Sequence, residues 1–97
     1  MSFIQIVEFR TSRFEEGQSH IDEYRKATEG KRTATRVRVC EDRDQPGRYF
    51  TIAEFPSYED AMRNSELPET SSLAEQLGRL AEGPPIFYNL EVIREET

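Results

Sequence analysis

Four segments of this chain have strand character, and three of them carry large apolar side chains on both faces. Successive side chains along a strand point to opposite sides. In residues 3–10, FIQIVEFR, Phe3, Val7 and Phe9 share one side, and Ile4 and Ile6 the other. In 48–55, RYFTIAEF, Tyr49, Ala53 and Phe55 oppose Phe50 and Ile52; in 86–94, IFYNLEVIR, Phe87 and Ile93 oppose Tyr88, Leu90 and Val92. The fourth segment, 34–42, alternates Val37 and Val39 against Arg36, Arg38 and Cys40. An antiparallel sheet covered by helices on one side normally keeps a polar second side. Here both sides call for burial, and a lone protomer would expose an unusually large apolar patch. The pattern therefore predicts that the sheets of two copies pack face to face.

Helical segments separate these strands. Residues 14–30 place Phe14, Ile21, Tyr24 and Thr28 on one stripe, with Ser12 as N-cap, Glu15 completing a capping box and Gly30 as the stop. Pro46-Gly47 suits a type II turn, which joins 34–42 to 48–55 as a hairpin. Ser57 caps a second helix, YEDAMRNSE, with Asp60 three residues on. Pro68 ends that helix near Leu67, because it lacks a backbone donor and crowds the preceding turn. A third helical run, from about Ser71, spaces Leu73, Leu77 and Leu80 by four and three and stops at Gly83-Pro84-Pro85. The resulting order is β-α-β-β-α-β with the second helix broken. That is an α+β, ferredoxin-like arrangement: one domain over 1–97, a four-stranded antiparallel sheet, and helices on one face through right-handed crossovers.

Composition narrows the function. The chain has 97 residues, a net charge of −6 and no tryptophan. No run approaches the roughly 18 apolar residues of a membrane span, and an acidic chain is repelled by nucleic-acid phosphates. The N-terminus lacks the long apolar stretch of a secretory signal, and the expectation is a cytoplasmic protein. A single cysteine, Cys40, leaves no internal disulfide or thiolate zinc cluster, and a single histidine, His20, leaves no two-histidine metal site within one subunit. No phosphate loop or nucleophile elbow is present. No metal and no cofactor are expected.

Several side chains are chemically suggestive. His20 lies about 60° from the centre of the helical stripe, at about 100° per residue. It is either a general base beside Tyr24, one turn on, or a partly exposed surface histidine. Asn64, beside the Pro68 break, either binds a carbonyl or oxyanion or satisfies loose helix-end backbone. Tyr49, Met62 and Tyr88 line an aromatic pocket or pack in the core. Arg36 and Arg38 anchor an acidic substrate or pair with Glu54 and Glu91 across strands. Cys40 reads more readily as a small apolar side chain than as a nucleophile.

Over residues 3–94 the chain resembles the dimeric α+β barrel proteins, in particular the antibiotic-biosynthesis-monooxygenase-like domains. The resemblance lies in AEFPSYEDAMRNSELPE at 53–69, with its acidic residue, aromatic, helix cap, short helix and break, and in IVEFR and FYNLEVIRE. It implies a homodimer joined through the sheet and a small-molecule cavity between sheet and helices. Haem-degrading members use an Asn, a Trp and a ligating His where this chain has Phe9, Met62 and Ser72, so haem degradation is not implied. Polyketide oxygenases of this kind use Asn, Tyr, Trp and Arg side chains, and Asn64, Tyr24, Tyr49 and Arg36 supply three of those types. The implied activity is cofactor-independent oxygenation of a phenolic or enolic substrate, with His20, Tyr24 and Asn64 catalytic and Tyr49, Met62, Arg36 and Tyr88 binding substrate. The alternative is a non-catalytic binding or assembly module. A closed cavity of a few hundred Å³ beside His20 would favour the enzyme.

Overall fold

The first and third strands are the inner strands of the sheet, because both edges of each are taken. A computed structural model describes residues 2–97. Its elements run β1 (Phe3–Arg10), α1 (Phe14–Ala27), β2 (Arg36–Glu41), β3 (Arg48–Phe55), α2 (Tyr58–Ser65), α3 (Pro68–Leu80) and β4 (Ile86–Glu91). The antiparallel sheet has strand order β2-β3-β1-β4. This is the ferredoxin-like arrangement expected from the sequence, with the second helical segment split in two.

The register sorts side chains between the two faces. Phe3 sits opposite Phe55, Val7 opposite Thr51, and Phe9 opposite Tyr49. This row faces the helices, since Phe3 and Phe55 are buried with Ala61 of α2. The other face carries Ile4, Ile6, Phe50, Ile52, Ile86, Tyr88 and Leu90, and no helix of the described residues covers it.

Local chemistry explains the element ends. The capping box expected at Ser12 and Glu15 does not form. Arg13 is the N-cap of α1 and has no side-chain cap; its backbone N–H instead donates to Thr11 Oγ1 at 2.9 Å. Thr11 takes this role because its hydroxyl is tied to Leu80 O at 2.7 Å, which links the start of α1 to the end of α3. α1 stops at Ala27, before Gly30: the Thr28 hydroxyl donates to Tyr24 O at 2.6 Å, and the amides of Lys31 and Arg32 turn back to Thr28 O. Ser57 does cap α2, accepting from Asp60 N at 3.1 Å. α3 begins at Pro68, earlier than the expected Ser71. Proline suits the first helical position, where no backbone donor is needed. At the β2–β3 hairpin, Arg48 N donates to Gln45 O at 3.2 Å, and Gly47 takes the positive φ of 91° that a type II turn requires. β4 ends at Glu91, although Val92 N still donates to Ser2 O at 3.0 Å.

The helix layer meets the sheet at two places. At one end α2 sits on β1 and β3 through Ala61, Phe3 and Phe55. At the other, Phe14 of α1 stacks on Tyr49 at 4.3 Å between ring centroids, and Tyr49 on Phe9 at 5.6 Å. α1 and α3 pack closely because Gly17 has no side chain: a Cβ there would lie 3.3 Å from Leu77 Cδ2. Between these anchors the sheet carries the half-buried Thr51 and Ala53, the latter packed against the Phe3, Phe55 and Ala61 cluster, while the edge strands are more exposed. Val37 is 51% and Phe87 58% exposed, although both belong to the helix-facing row. No helix among the described residues is long and apolar enough to cross a membrane.

Candidate functional site

Three helices and the segment leading into β2 converge on a polar cluster. The Thr70 hydroxyl donates to Asn64 O at 2.8 Å, so its oxygen is free to accept the Tyr24 O–H at 2.9 Å. Asn64 Nδ2 reaches the Tyr24 oxygen at 3.4 Å, while Asn64 Oδ1 accepts Thr33 N at 3.3 Å. Thr33 in turn donates its hydroxyl to Asp60 O at 2.5 Å. The break before Pro68 makes this possible. It ends α2 next to Asn64 and starts α3 so that Thr70 faces back toward it. His20 lies one turn before Tyr24 on α1, and its Nδ1 is buried with no hydrogen-bond partner.

Tyr24 and Asn64, chosen from the sequence, are thus brought together, with His20 one turn away. Thr70 and Thr33 completed the cluster without any sequence signal, since a threonine near a helix end is ordinary.

The other four candidates lie elsewhere. Tyr49 is stacked between Phe9 and Phe14, and burial, aided by the charge of Glu41, pushes its phenol up. Met62 is on α2 and 42% exposed. Tyr88 and Arg36 occupy the uncovered face, on the far side of the sheet from Tyr24 and Asn64. The single pocket pictured for Tyr49, Met62 and Tyr88 is therefore corrected: a period of two puts Tyr49 and Tyr88 on opposite faces. Arg36 and Arg38 both approach Glu54 Oε2, at 4.0 and 3.4 Å, and their expected pairing with Glu91 is excluded because Glu91 faces the helices. Cys40 is exposed on the uncovered face.

That face has a polar centre the sequence did not suggest. Glu8 is buried among apolar neighbours and accepts from Arg48 Nε at 2.9 Å and Tyr88 O–H at 3.1 Å. Arg48 also holds Asp42 at 2.7 Å and lies over the Phe50 ring at 4.7 Å. The Arg48 guanidinium keeps the Glu8 carboxyl below the usual carboxylate range, and Glu8 pushes the Tyr88 phenol up. Asp42 is also held low, first by the Asp44 backbone N–H and then by Arg48. A carboxylate with a lowered folded pKa contributes stability that is present above its unfolded pKa, about 4.3 for Glu. That contribution is lost as pH falls through the lower folded value. Urea midpoints should therefore decline on acidification below about pH 4.5, and Glu8→Gln should flatten the decline. Parallel profiles for the two proteins would exclude Glu8 as a source.

The space near α1 is small where it is enclosed. The hollow between β1, α1 and α3, lined by Phe9, Phe14, Gly17, Ile21, Leu77 and Leu80 among others, measures about 10 Å³, room for roughly one water. The larger depression, about 430 Å³, is an open one on the outer side of α1 at Asp22, Arg25, Lys26, Glu29 and Arg32. The closed cavity expected beside His20 is not at either place. Neither place supplies the closed cavity of a few hundred Å³ that would favour the enzyme over the binding module.

Solved structures share this architecture over nearly the whole chain. SnoaB, a cofactor-independent oxygenase from Streptomyces nogalater solved as an asparagine-to-alanine variant, superposes with a TM-score of 0.81 at 15% identity, covering 97% of this chain and 95% of its own. Rv0793 from Mycobacterium tuberculosis gives 0.81 at 15% identity and 100% of both chains. A protein of Caulobacter crescentus assigned to the antibiotic biosynthesis monooxygenases gives 0.83 at 8% identity, over 96% of this chain and 91% of its own. The fold is that of the antibiotic biosynthesis monooxygenase domains. No family model and no curated protein matches the sequence. At such low identity it is the fold that is shared.

Proposed function

We propose that this chain is a small-molecule enzyme of the cofactor-independent oxygenase type, acting on a phenolic or enolic substrate between sheet and helices. The observation that carries the reading is the Tyr24–Asn64–Thr70 cluster, with the unpartnered His20 Nδ1 one turn away. Arg32 Nε and Glu69 Oε1 are buried without a partner too, and a catalytic role is one of the explanations such an atom admits. In this reading His20 removes a proton from the substrate, and the resulting carbanion passes an electron to dioxygen. Radical recombination forms a carbon–oxygen bond, the peroxide anion takes back the proton held by His20, and the hydroperoxide loses water to leave a carbonyl. Tyr24 O–H turns from Thr70 to the substrate oxygen, and Asn64 Nδ2 supports the negative charge developing there.

The same proposal has the chain working as a homodimer joined through the uncovered sheet face. The protomer exposes 7000 Å². A monomer of this mass is expected to expose about 5,700 Å². The excess of roughly 1,300 Å² exceeds the roughly 800 Å² per partner of a standard interface.

Anthrone supplies a test, since one dioxygen converts it to anthraquinone and one water. Oxygen uptake with anthrone should be catalysed by the intact protein and fall roughly 10–100-fold in Tyr24→Phe and Asn64→Ala, the loss expected of one developing-charge contact. If anthrone and other enolisable phenols bind without turnover, the non-catalytic binding module becomes the better account.

A further inference from the structure

Gln5 and Asn89 face each other across β1 and β4 on the side of the sheet turned toward the helices. Gln5 Nε2 donates to Asn89 Oδ1 at 3.2 Å, and the pair is open to solvent. Its neighbours on that face are apolar except one: Phe3 and Val7 flank Gln5 along β1, Ala53 lies across from Gln5 on β3, and Asn89 sits between Phe87 and the carboxylate of Glu91 along β4. With one bond between them, the two amides keep Gln5 Oε1, one Gln5 N–H and both Asn89 N–H groups for other partners. Ala53 is partly buried and packs against the Phe3, Phe55 and Ala61 cluster beside Gln5. Gln5 is also two residues along β1 from Phe3, which packs on Ala61, and Asn64 is one helical turn from Ala61. The amide pair and the Tyr24–Asn64 cluster therefore flank the same sheet–helix layer.

Charge on this face is lopsided. None of the strand residues turned toward the helices is Lys or Arg; Arg10, Arg36, Arg38 and Arg48 all fall on the opposite face. The charged residues of the helix-facing row are carboxylates, Glu41 opposite Tyr49 and Glu91 opposite Phe3. A carboxylate ligand entering here would lose hydration, find no cation on the sheet and meet like charge at two corners.

We infer that Gln5 and Asn89 recognise a neutral carbonyl or hydroxyl oxygen on a planar aromatic ligand, and that the helix-facing side of the sheet rejects aromatic carboxylates. The inference rests on the proposed placement of the ligand between sheet and helices. It assigns the sheet-side contacts, where the catalytic proposal uses only helix residues.

Two probes of one ring system test it: 2-acetylnaphthalene, a neutral ketone, and 2-naphthoate, a carboxylate. Each is titrated into the intact protein at pH 7 and followed through backbone and side-chain amide NMR resonances. The ketone should shift the side-chain NH₂ signals of Gln5 and Asn89, and the carboxylate should bind at least about tenfold more weakly. Gln5→Leu and Asn89→Leu should each weaken ketone binding by roughly five- to tenfold, as expected for one lost hydrogen bond. Equal affinity for the two probes overturns the inference, as does undiminished ketone binding in both variants. Shifts confined to Tyr24, Asn64 and Thr70 overturn the amide pair and leave the proposed function standing. If the ketone shifts neither group, both fall. The NH₂ readout uses the unaltered chain and does not depend on the variants folding.

Discussion

Ile52→Asp should convert a dimer into a folded monomer or an unfolded chain, seen by sedimentation at micromolar concentration as loss of the dimer of 11.3 kDa chains. Ile52 sits at the middle of the uncovered face, opposite Ile6 on β1, with Tyr88 beyond it on β4. Leu90 (45% exposed) and Ile86 (50%) extend the apolar surface along β4. Each such side chain removed from water contributes roughly 1.5–3 kcal/mol. In a two-fold interface every substitution occurs twice. A buried, unpaired carboxylate is costly enough that affinity should fall by more than about a hundredfold. Val7→Asp serves as the contrast. Val7 belongs to the helix-facing row, so that variant should lose stability without selectively dissociating a folded dimer. If the unaltered chain sediments as a well-folded single protomer, sheet-to-sheet pairing is wrong.

The second large effect is expected at His20. Given turnover of an enolisable phenol, His20→Ala should lower kcat by roughly 10²–10⁴-fold, the usual contribution of a positioned base. Its Nδ1 has no partner among the described residues, so removing the ring forfeits no hydrogen bond to them at that atom and should affect folding little. Urea unfolding of the variant alongside the kinetics separates the two effects. A variant that keeps full activity would remove His20 from the mechanism and leave Asn64 as the group nearest the reacting oxygen. A kcat loss matched by collapse of the folded state would make its role structural.

Much of the architecture was legible because it depends on short-range rules. The alternation in 3–10 and 48–55 placed β1 and β3 with their observed ends. Ser57 and Pro68 bounded the second helix because a cap needs a side-chain acceptor and proline lacks a donor. Where the reading went astray, tertiary contact outweighed local preference. Thr11 displaced Ser12 at the start of α1 because its hydroxyl is shared with the end of α3. Tyr24 and Asn64 were identifiable as polar residues near a helical stripe and a helix break, but the Thr70 and Thr33 bonds that organise them cross between elements.

The sequence by itself determined the order of elements, the two-faced apolar strands and the helix break beside Asn64. These follow from dihedral preference and side-chain periodicity, which neighbouring residues control. Only the tertiary structure decided which face the helices cover. Either face of β1 offers apolar side chains, and the choice depends on where Ala61 and Phe14 come to rest after the crossovers. That choice put Tyr88 and Arg36 on one side of the sheet and Tyr24 and Asn64 on the other. It also buried Glu8 with Arg48 on the uncovered face and lined the helix-facing side without a cation. Register links residues forty positions apart, and no local pattern encodes it.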